Sequence, residues 1–119
     1  MKQVYIFIRP NMYFKTKAAL VENSFHSMSV KDVLGRGKGS GKGSFVAGNE
    51  ESLVNYMDNP FIAKKMIEIF CRDEDVDRLI SVVKKVNQTG NPGDGKVFVL
   101  EAEEIIRIRT GEKNDNALM

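Results

Sequence analysis

The sequence contains few of the residues that most often build catalytic or metal sites. One cysteine, Cys71, and one histidine, His26, occur among 119 residues. A single cysteine excludes an intrachain disulfide and a cysteine metal cluster, and its position in an apolar run indicates a buried core residue. His26 has no base or nucleophile beside it in the sequence. The composition therefore favours neither an enzyme nor a metal protein.

A strong net charge and long apolar runs are also missing. Eighteen Lys and Arg against 16 Asp and Glu leave a net charge of +2, which is too small to indicate nucleic-acid or membrane binding by itself. No apolar run reaches the length of a membrane span, and Arg9-Pro10 ends the first one before it could act as a signal peptide. We expect one small cytoplasmic domain without membrane insertion, of a size that favours assembly into an oligomer.

Apolar periodicity predicts an alternation of strands and helices. The first strand, 3–9, is apolar on both faces, as a central strand would be, and Phe7, Phe70 and Phe98 are assigned to the core. The other predicted strands span 27–34, 66–71, 97–101 and 105–109. The first predicted helix, 13–23, is expected to bury Phe14, Ala18, Val21 and Phe25. The second is expected to bury Val76, Leu79, Ile80 and Val83.

The element order β-α-β-β-α-β predicts a ferredoxin-like α+β fold. A glycine at every second position from Gly35 to Gly43 opens a long irregular segment that reaches about Ala63. This composition is typical of a flexible loop, and a loop of that length inside a compact domain is usually functional or disordered. It contains neither a Walker A motif nor a dinucleotide-binding fingerprint.

A second glycine-rich loop, 89–96, ends in Lys96 just before an apolar strand. Gly90, Gly93 and Gly95 can adopt positive φ angles, so their amides could converge on an anion, with the Lys96 ammonium beside it. A phosphate fits such a site through its charge and its acceptor oxygens. A plain surface turn with corners at Asn91-Pro92 and Asp94-Gly95 explains the same residues equally well.

Two arginines follow on the fifth predicted strand. Period-two alternation places Arg107 and Arg109 on one face. Adjacent guanidiniums repel each other unless an anion lies across them, so the pair predicts either an acidic neighbour, Glu103 or Glu112, or a bound polyphosphate.

The two segments together resemble a known family. Thr89-Gly-Asn-Pro-Gly-Asp-Gly-Lys-Val-Phe-Val99 and Ile106-Arg-Ile-Arg-Thr-Gly-Glu112 are similar, in order and spacing, to the B-loop and C-loop signatures of the nitrogen-regulatory P-II signalling proteins. Asn91-Pro92 and Gly35-Arg-Gly-Lys38 resemble most the branch associated with nitrogenase control. The likeness spans a single domain, 1–112, and leaves 113–119 as a tail expected to be flexible.

The resemblance implies a trimer, made of this chain alone or with a P-II paralogue, that holds ATP or ADP in each cleft between subunits. One subunit would contribute Gly35, Gly37, Lys38, Gly93, Asp94, Gly95 and Lys96. Arg107 and Arg109 would reach the phosphates from the next subunit, and Ser29, Glu68 and Phe70 match positions near the adenine and ribose. The segment 36–63 corresponds to the partner-contacting T-loop. Nitrogenase is the first expected target, followed by glutamine synthetase or an ammonium transporter.

Two departures from the family bear on its ligands. Gly39 replaces a glutamine that helps to bind magnesium and 2-oxoglutarate, so a 2-oxoglutarate site would use other groups, such as Lys64 and backbone atoms. The tyrosine motif that is uridylylated in many relatives is absent, and Tyr56 stands in a different context.

An RNA-binding module of the same fold is the alternative. RNA-recognition domains share this strand order and stack bases on aromatic residues of the central strands. The segments 42–46 and 96–99 are weakly similar to such a motif, but neither completes its run of aromatics.

Overall fold

The protein is described from a computed structural model, which covers residues 1–35 and 61–118. The strands and helices follow in the order β1, α1, β2, β3, α2, β4. Their bounds are Lys2–Ile8, Tyr13–Glu22, Ser29–Gly35, Ile62–Cys71, Val76–Asn87 and Lys96–Glu101. Short 3-10 turns at Pro10–Met12 and Asp73–Asp75 lead into the two helices.

The four strands form one antiparallel sheet in the order β2-β3-β1-β4. Each helix connects two parallel strands with one strand between them, and the two helices pack against each other on the same face of the sheet. This arrangement is ferredoxin-like and confirms the predicted fold. β1 is a central strand, as its two apolar faces predicted.

The core lies between the sheet and the helices. Val4, Ile6 and Ile8 of β1 are buried and alternate with less buried neighbours. The other buried apolar residues are Leu20, Phe25, Ile67, Ile69, Cys71, Leu79 and Val83. The burial of Cys71 and the inward face of α2 agree with the sequence-based expectations.

The expected buried face of α1 is wrong at three of its four residues, while Phe25 is buried as predicted. Phe14 is 77% exposed, and Ala18 and Val21 are also exposed. The helix instead buries Thr16 and Leu20. The hydroxyl of Thr16 donates to the carbonyl of Met12 at 2.7 Å and accepts from the amide Nδ2 of Asn87 at 3.0 Å. A satisfied hydroxyl can be buried at low cost, so polarity alone misidentified this face.

Replacing Thr16 by valine tests this buried polar contact between the helices. The change keeps the side-chain volume but removes two hydrogen bonds, and it leaves the buried Asn87 amide with only the Val83 carbonyl, at 3.0 Å, as acceptor. We expect the free energy of unfolding to fall by about 1–3 kcal/mol in urea denaturation. Ser81→Ala, at an exposed position of α2, is the control and should change little. Equal stability of both variants would contradict a structural role for the contact.

The opposite face of the sheet carries no helix. Tyr5 and Phe7 of β1 point to this open face, and so do Phe70 and Phe98, which are 42% and 48% exposed. The assignment of Phe7, Phe70 and Phe98 to the core is therefore wrong. Alternation correctly separated the two faces of β1, but it could not say which face the helices cover.

The long loop predicted for 36–63 lies mostly outside the described residues, together with Gly37, Lys38, Gly39, Tyr56 and the segment 42–46. β3 begins at Ile62, next to the predicted end of the loop at about Ala63, and it is longer than the predicted strand 66–71. Within residues 1–35 and 61–118, no helix has the length and apolar character needed to cross a membrane.

Candidate functional site

The glycine-rich loop 89–96 joins α2 to β4. Gly90, Gly93 and Gly95 have φ angles of 85°, 98° and 118°, which confirms the expectation of positive φ angles. Gly95 also lies against β1. A Cβ atom there would be 1.8 Å from the carbonyl oxygen of Phe7. The loop can therefore close against the sheet only with glycine at this position.

Asp94 is the centre of the loop. One carboxylate oxygen, Oδ2, accepts hydrogen bonds from the backbone N–H groups of Thr89 at 2.7 Å and Gly90 at 2.9 Å. The other oxygen, Oδ1, accepts a hydrogen bond from the Thr89 hydroxyl. The bonds from the Thr89 hydroxyl and amide, followed by those from Arg9 and Gly90, hold the pKa of Asp94 well below its usual range. The Gly90 amide, expected to converge on an external anion with the other glycine amides, thus donates to the loop's own carboxylate.

Two cations from neighbouring strands hold the loop in place. Arg9, which follows β1, binds Asp94 Oδ1 through Nη1 at 2.8 Å and the Pro92 carbonyl through Nη2 at 2.9 Å. The Lys64 ammonium donates to the Gly93 carbonyl at 2.8 Å. Partial burial lowers the pKa of Lys64, and Arg9 lowers it further. The loop is thus held in one conformation by contacts within the chain.

Arg9 has a role that the sequence did not reveal. In the sequence, Arg9-Pro10 indicated only the end of a strand. The antiparallel register that pairs Phe7 with Lys96 brings the end of β1 next to the loop. The two residues of this pair are far apart in the sequence. No local signal could have identified it.

Lys96 is exposed at the start of β4. Among the described residues, no carboxylate lies within ion-pair distance of its ammonium. In contrast to Arg9 and Lys64, it is not used to build the loop. Its charge is available at the loop's surface, where the sequence predicted an anion.

A cleft of about 470 Å³ lies at the other end of the sheet. It contains Ser29, Glu68 and Phe70, the three residues that the family resemblance assigned to an adenine and ribose site. Ser29 is the register partner of Glu68, and the Glu68 carboxylate accepts from Gln3 Nε2 at 2.9 Å. The rest of the lining consists of His26, Ser27, Met28, Ile105, Ala117 and Leu118.

The arginine segment is a tight turn and not the predicted fifth strand. Among the described residues it forms only an isolated bridge, Ile106 with Lys113. The N–H of Arg107 donates to the Glu112 carbonyl at 2.9 Å, and Gly111, with φ 72°, donates back to Arg107 at 2.7 Å. The alternation of isoleucine and arginine predicted a strand because such a pattern carries no sign of the chain reversal that Gly111 permits.

The two arginines have different surroundings in this turn. Arg107 forms an ion pair with Glu112 at 2.8 Å, so one of the acidic neighbours named from the sequence does balance it. Arg109 lies in the exposed part of the turn, and no side-chain partner for it occurs within the described residues. The expectation that the two guanidiniums share one strand face is therefore wrong.

The candidate residues thus form two groups at opposite ends of the sheet. The first set, called here the phosphate group because the sequence predicts an anion at its loop, comprises Lys64, Lys96 and the loop residues Gly93, Asp94 and Gly95. Gly35 lies beside Lys64. The second set, called here the base group because the family resemblance places Ser29, Glu68 and Phe70 near an adenine and ribose, comprises these three residues and the arginine turn. Lys64 and Phe70 are six positions apart on β3, roughly 20 Å at the rise of a strand. Among residues 1–35 and 61–118, no cluster of three acidic, histidine or cysteine side chains could bind a metal ion.

Comparison with known proteins now defines the class of protein. The family model for nitrogen regulatory protein P-II matches residues 1–112, so the chain belongs to that family. It is 41% identical to the nitrogen fixation nifHD1 region GlnB-like protein 2 of Methanosarcina barkeri, over 99% of both chains. It is 36% identical to nitrogen regulatory protein P-II 2 of Methanothermobacter thermautotrophicus, over 99% of this chain and 97% of that one.

A solved structure supports the same assignment. The crystal structure of Arabidopsis thaliana PII bound to citrate superimposes with a TM-score of 0.74 at 28% identity, covering 98% of this chain and 88% of that one. The resemblance inferred from the loop motifs is confirmed. The protein is a nitrogen-regulatory signalling protein and not an enzyme.

Proposed function

We propose that this protein is an adenine-nucleotide sensor that binds ATP or ADP between adjacent subunits. The separation of the phosphate group from the base group carries the proposal. The two groups lie at opposite ends of one sheet, so a nucleotide held by both would have its phosphates on one subunit and its base on the next. The family resemblance implies one part of this division, in which Arg107 and Arg109 reach the phosphates from the next subunit.

The phosphate group is suited to a polyanion because its loop is already ordered. Asp94, Arg9 and Lys64 hold the loop through four hydrogen bonds and ion pairs of 2.7–2.9 Å, among others. A loop that is ordered before binding loses little conformational entropy when the ligand arrives. The exposed Lys96 then supplies a charge that no described residue neutralises.

The base group offers the contacts that a purine nucleoside needs. The half-exposed ring of Phe70 gives an apolar surface for the base. The Ser29 hydroxyl and the Glu68 carboxylate can hydrogen-bond to base or ribose groups. Arg109 is exposed and can turn toward phosphates supplied from a neighbouring subunit.

Assembly through the open sheet face would bring these groups together. Phe7 and Phe98 contact each other on that face, with ring centroids 5.7 Å apart. Together with the half-exposed Phe70 and Leu100, they form an aromatic and aliphatic surface that favours burial against another subunit. We propose a trimer, either of this chain alone or with a P-II paralogue.

The family resemblance also supports proposals for further effectors and for the target protein. Mg²⁺ and 2-oxoglutarate are proposed as additional effectors, with Lys64 as a contact because its ammonium uses only one donor on the loop. The segment 36–63 would transmit the ligand state to a nitrogen-metabolism protein. The nif-region names of the relatives favour nitrogenase over glutamine synthetase or an ammonium transporter.

Lys96→Ala is expected to weaken ATP binding by about tenfold to 150-fold in calorimetric titration. The change removes one charge-assisted contact to phosphate, which is typically worth about 1.5–3 kcal/mol. Lys85→Ala, an exposed lysine at the end of α2, is the matched control and should bind as the wild type does. Wild-type affinity in Lys96→Ala would contradict the site, and a wild type that fails to bind ATP would exclude the proposed function.

Mixing two defective variants tests the division between subunits. Lys96→Ala damages only the phosphate group, and Arg109→Ala damages only the arginine turn. Co-assembly of the two variants should restore ATP binding at those clefts where two intact groups meet. A site within one chain would gain nothing from mixing.

A further inference from the structure

The C-terminal segment 113–118, called here the C-terminal strap, is ordered against the domain. The N–H of Asn114 donates to the Ile105 carbonyl at 2.8 Å, and a 3-10 turn follows at Asn114–Ala117. Asn114 has a φ of 56°, a conformation that asparagine tolerates better than most residues. Residues 113–118, which were expected to form a flexible tail, lie against the domain in the structure.

The strap ends in the cleft of the base group. Ala117 and Leu118 are half-buried and line the same cleft as Ser29, Glu68 and Phe70. Leu118 therefore forms part of the wall of the cleft in which we propose that the base rests. A nucleotide in this cleft would therefore lie against the strap.

Arg107 links the strap to the arginine turn. Its guanidinium donates through Nη2 to the carbonyl of Asn116 at 3.1 Å and through Nη1 to Glu112 at 2.8 Å. Arg107 thus binds both the turn and the strap in the free chain. A polyphosphate offers the guanidinium stronger acceptors than a peptide carbonyl, because its oxygens are charged. If Arg107 turns to phosphate, the strap loses this contact.

We propose that the C-terminal strap and the nucleotide compete for the base group, so that nucleotide binding releases residues 113–118 from the cleft. The inference rests on the proposed function, since it concerns the same cleft. The strap then has two effects. It lowers the apparent affinity for nucleotide by the fraction of time that it holds Arg107, and its release gives the sensor a ligand-dependent surface besides the segment 36–63.

ATP titration of a chain that ends at Glu112 tests the competition. If the strap holds Arg107 for most of the time, its removal should strengthen ATP binding, by about fivefold for an occupancy near four fifths. Leu118→Ser keeps the full chain and should strengthen binding in the same direction. Lys85→Ala, an exposed lysine at the end of α2 and outside the strap and the cleft, is the control. Unchanged or weaker binding in both the shortened chain and Leu118→Ser would overturn the competition.

Trypsin cleavage after Lys113 reports on the strap without a nucleotide. The ordered strap should slow cleavage of the Lys113–Asn114 bond in the free wild type, and Leu118→Ser should speed it. Added ATP should also speed it in the wild type. Rapid cleavage in all free forms would overturn the docked strap. Slow cleavage in the free wild type, with no ATP binding by any variant, would instead reject the nucleotide function and with it the competition.

Discussion

Replacing Gly95 by alanine is expected to separate the loop 89–96 from β1 and to cost several kcal/mol of stability. The new Cβ would lie 1.8 Å from the carbonyl oxygen of Phe7. In addition, the φ of 118° at this position is strained for any residue with a side chain. The atom in the way belongs to the backbone of a central strand, which cannot move without breaking the sheet. Urea denaturation should give a loss of at least about 3 kcal/mol, at the upper end of single substitutions.

Gly90→Ala is the matched control in the same loop. Its φ is also positive, 85°, but nothing lies within 4 Å of the added Cβ. We expect only the backbone penalty of about 1–2 kcal/mol. If the two variants were equally stable, the close approach of the loop to β1 would be incorrect. The comparison therefore separates steric contact from conformational strain.

Asp94→Asn should disorder the loop while leaving the helices and the sheet intact. Asparagine keeps the shape but removes the charge that holds Arg9 and the amides of Thr89 and Gly90. Its amide group also offers only one oxygen where the carboxylate uses two. We expect a clear fall in melting temperature at pH 7, together with weaker ATP binding, because Lys96 follows directly on the disordered segment.

The pH dependence of this loss follows from the pKa of Asp94, which the folded protein holds below its usual range. A carboxyl with a lowered pKa stabilises the fold fully above the pKa of the unfolded chain, about 3.9 for aspartate. Its contribution declines as the pH falls from there toward the folded pKa. The difference in stability between wild type and Asp94→Asn should therefore be constant from pH 7 to about 5 and shrink below about 4.

Asp32→Asn is the control for this pH profile. Asp32 forms an ion pair with Lys65 at 2.6 Å, but its side chain is 80% exposed, and such surface pairs contribute little. We expect almost no change in melting temperature at any pH. A flat difference for Asp94→Asn down to pH 2 would contradict the role of its charge in the loop.

The sequence by itself determined what depends on neighbouring residues. The periodicity of β1 and α2, the positive φ angles of Gly90, Gly93 and Gly95, and the paired loop signatures are local properties. They were sufficient for the element order, the ferredoxin-like fold and the family. Each rests on steric or hydrophobic preferences that act within a few residues of the chain.

Only the tertiary structure decided which partners these residues meet. Alternation separated the two faces of β1, but the helices determined that Phe7 belongs to the open one. The anion that gathers the Thr89 and Gly90 amides is Asp94, held by Arg9 from a distant strand. Arg107 binds Glu112 and the C-terminal strap because Gly111 reverses the chain. Such contacts depend on strand register and chain reversal, which bring together groups that no local pattern connects.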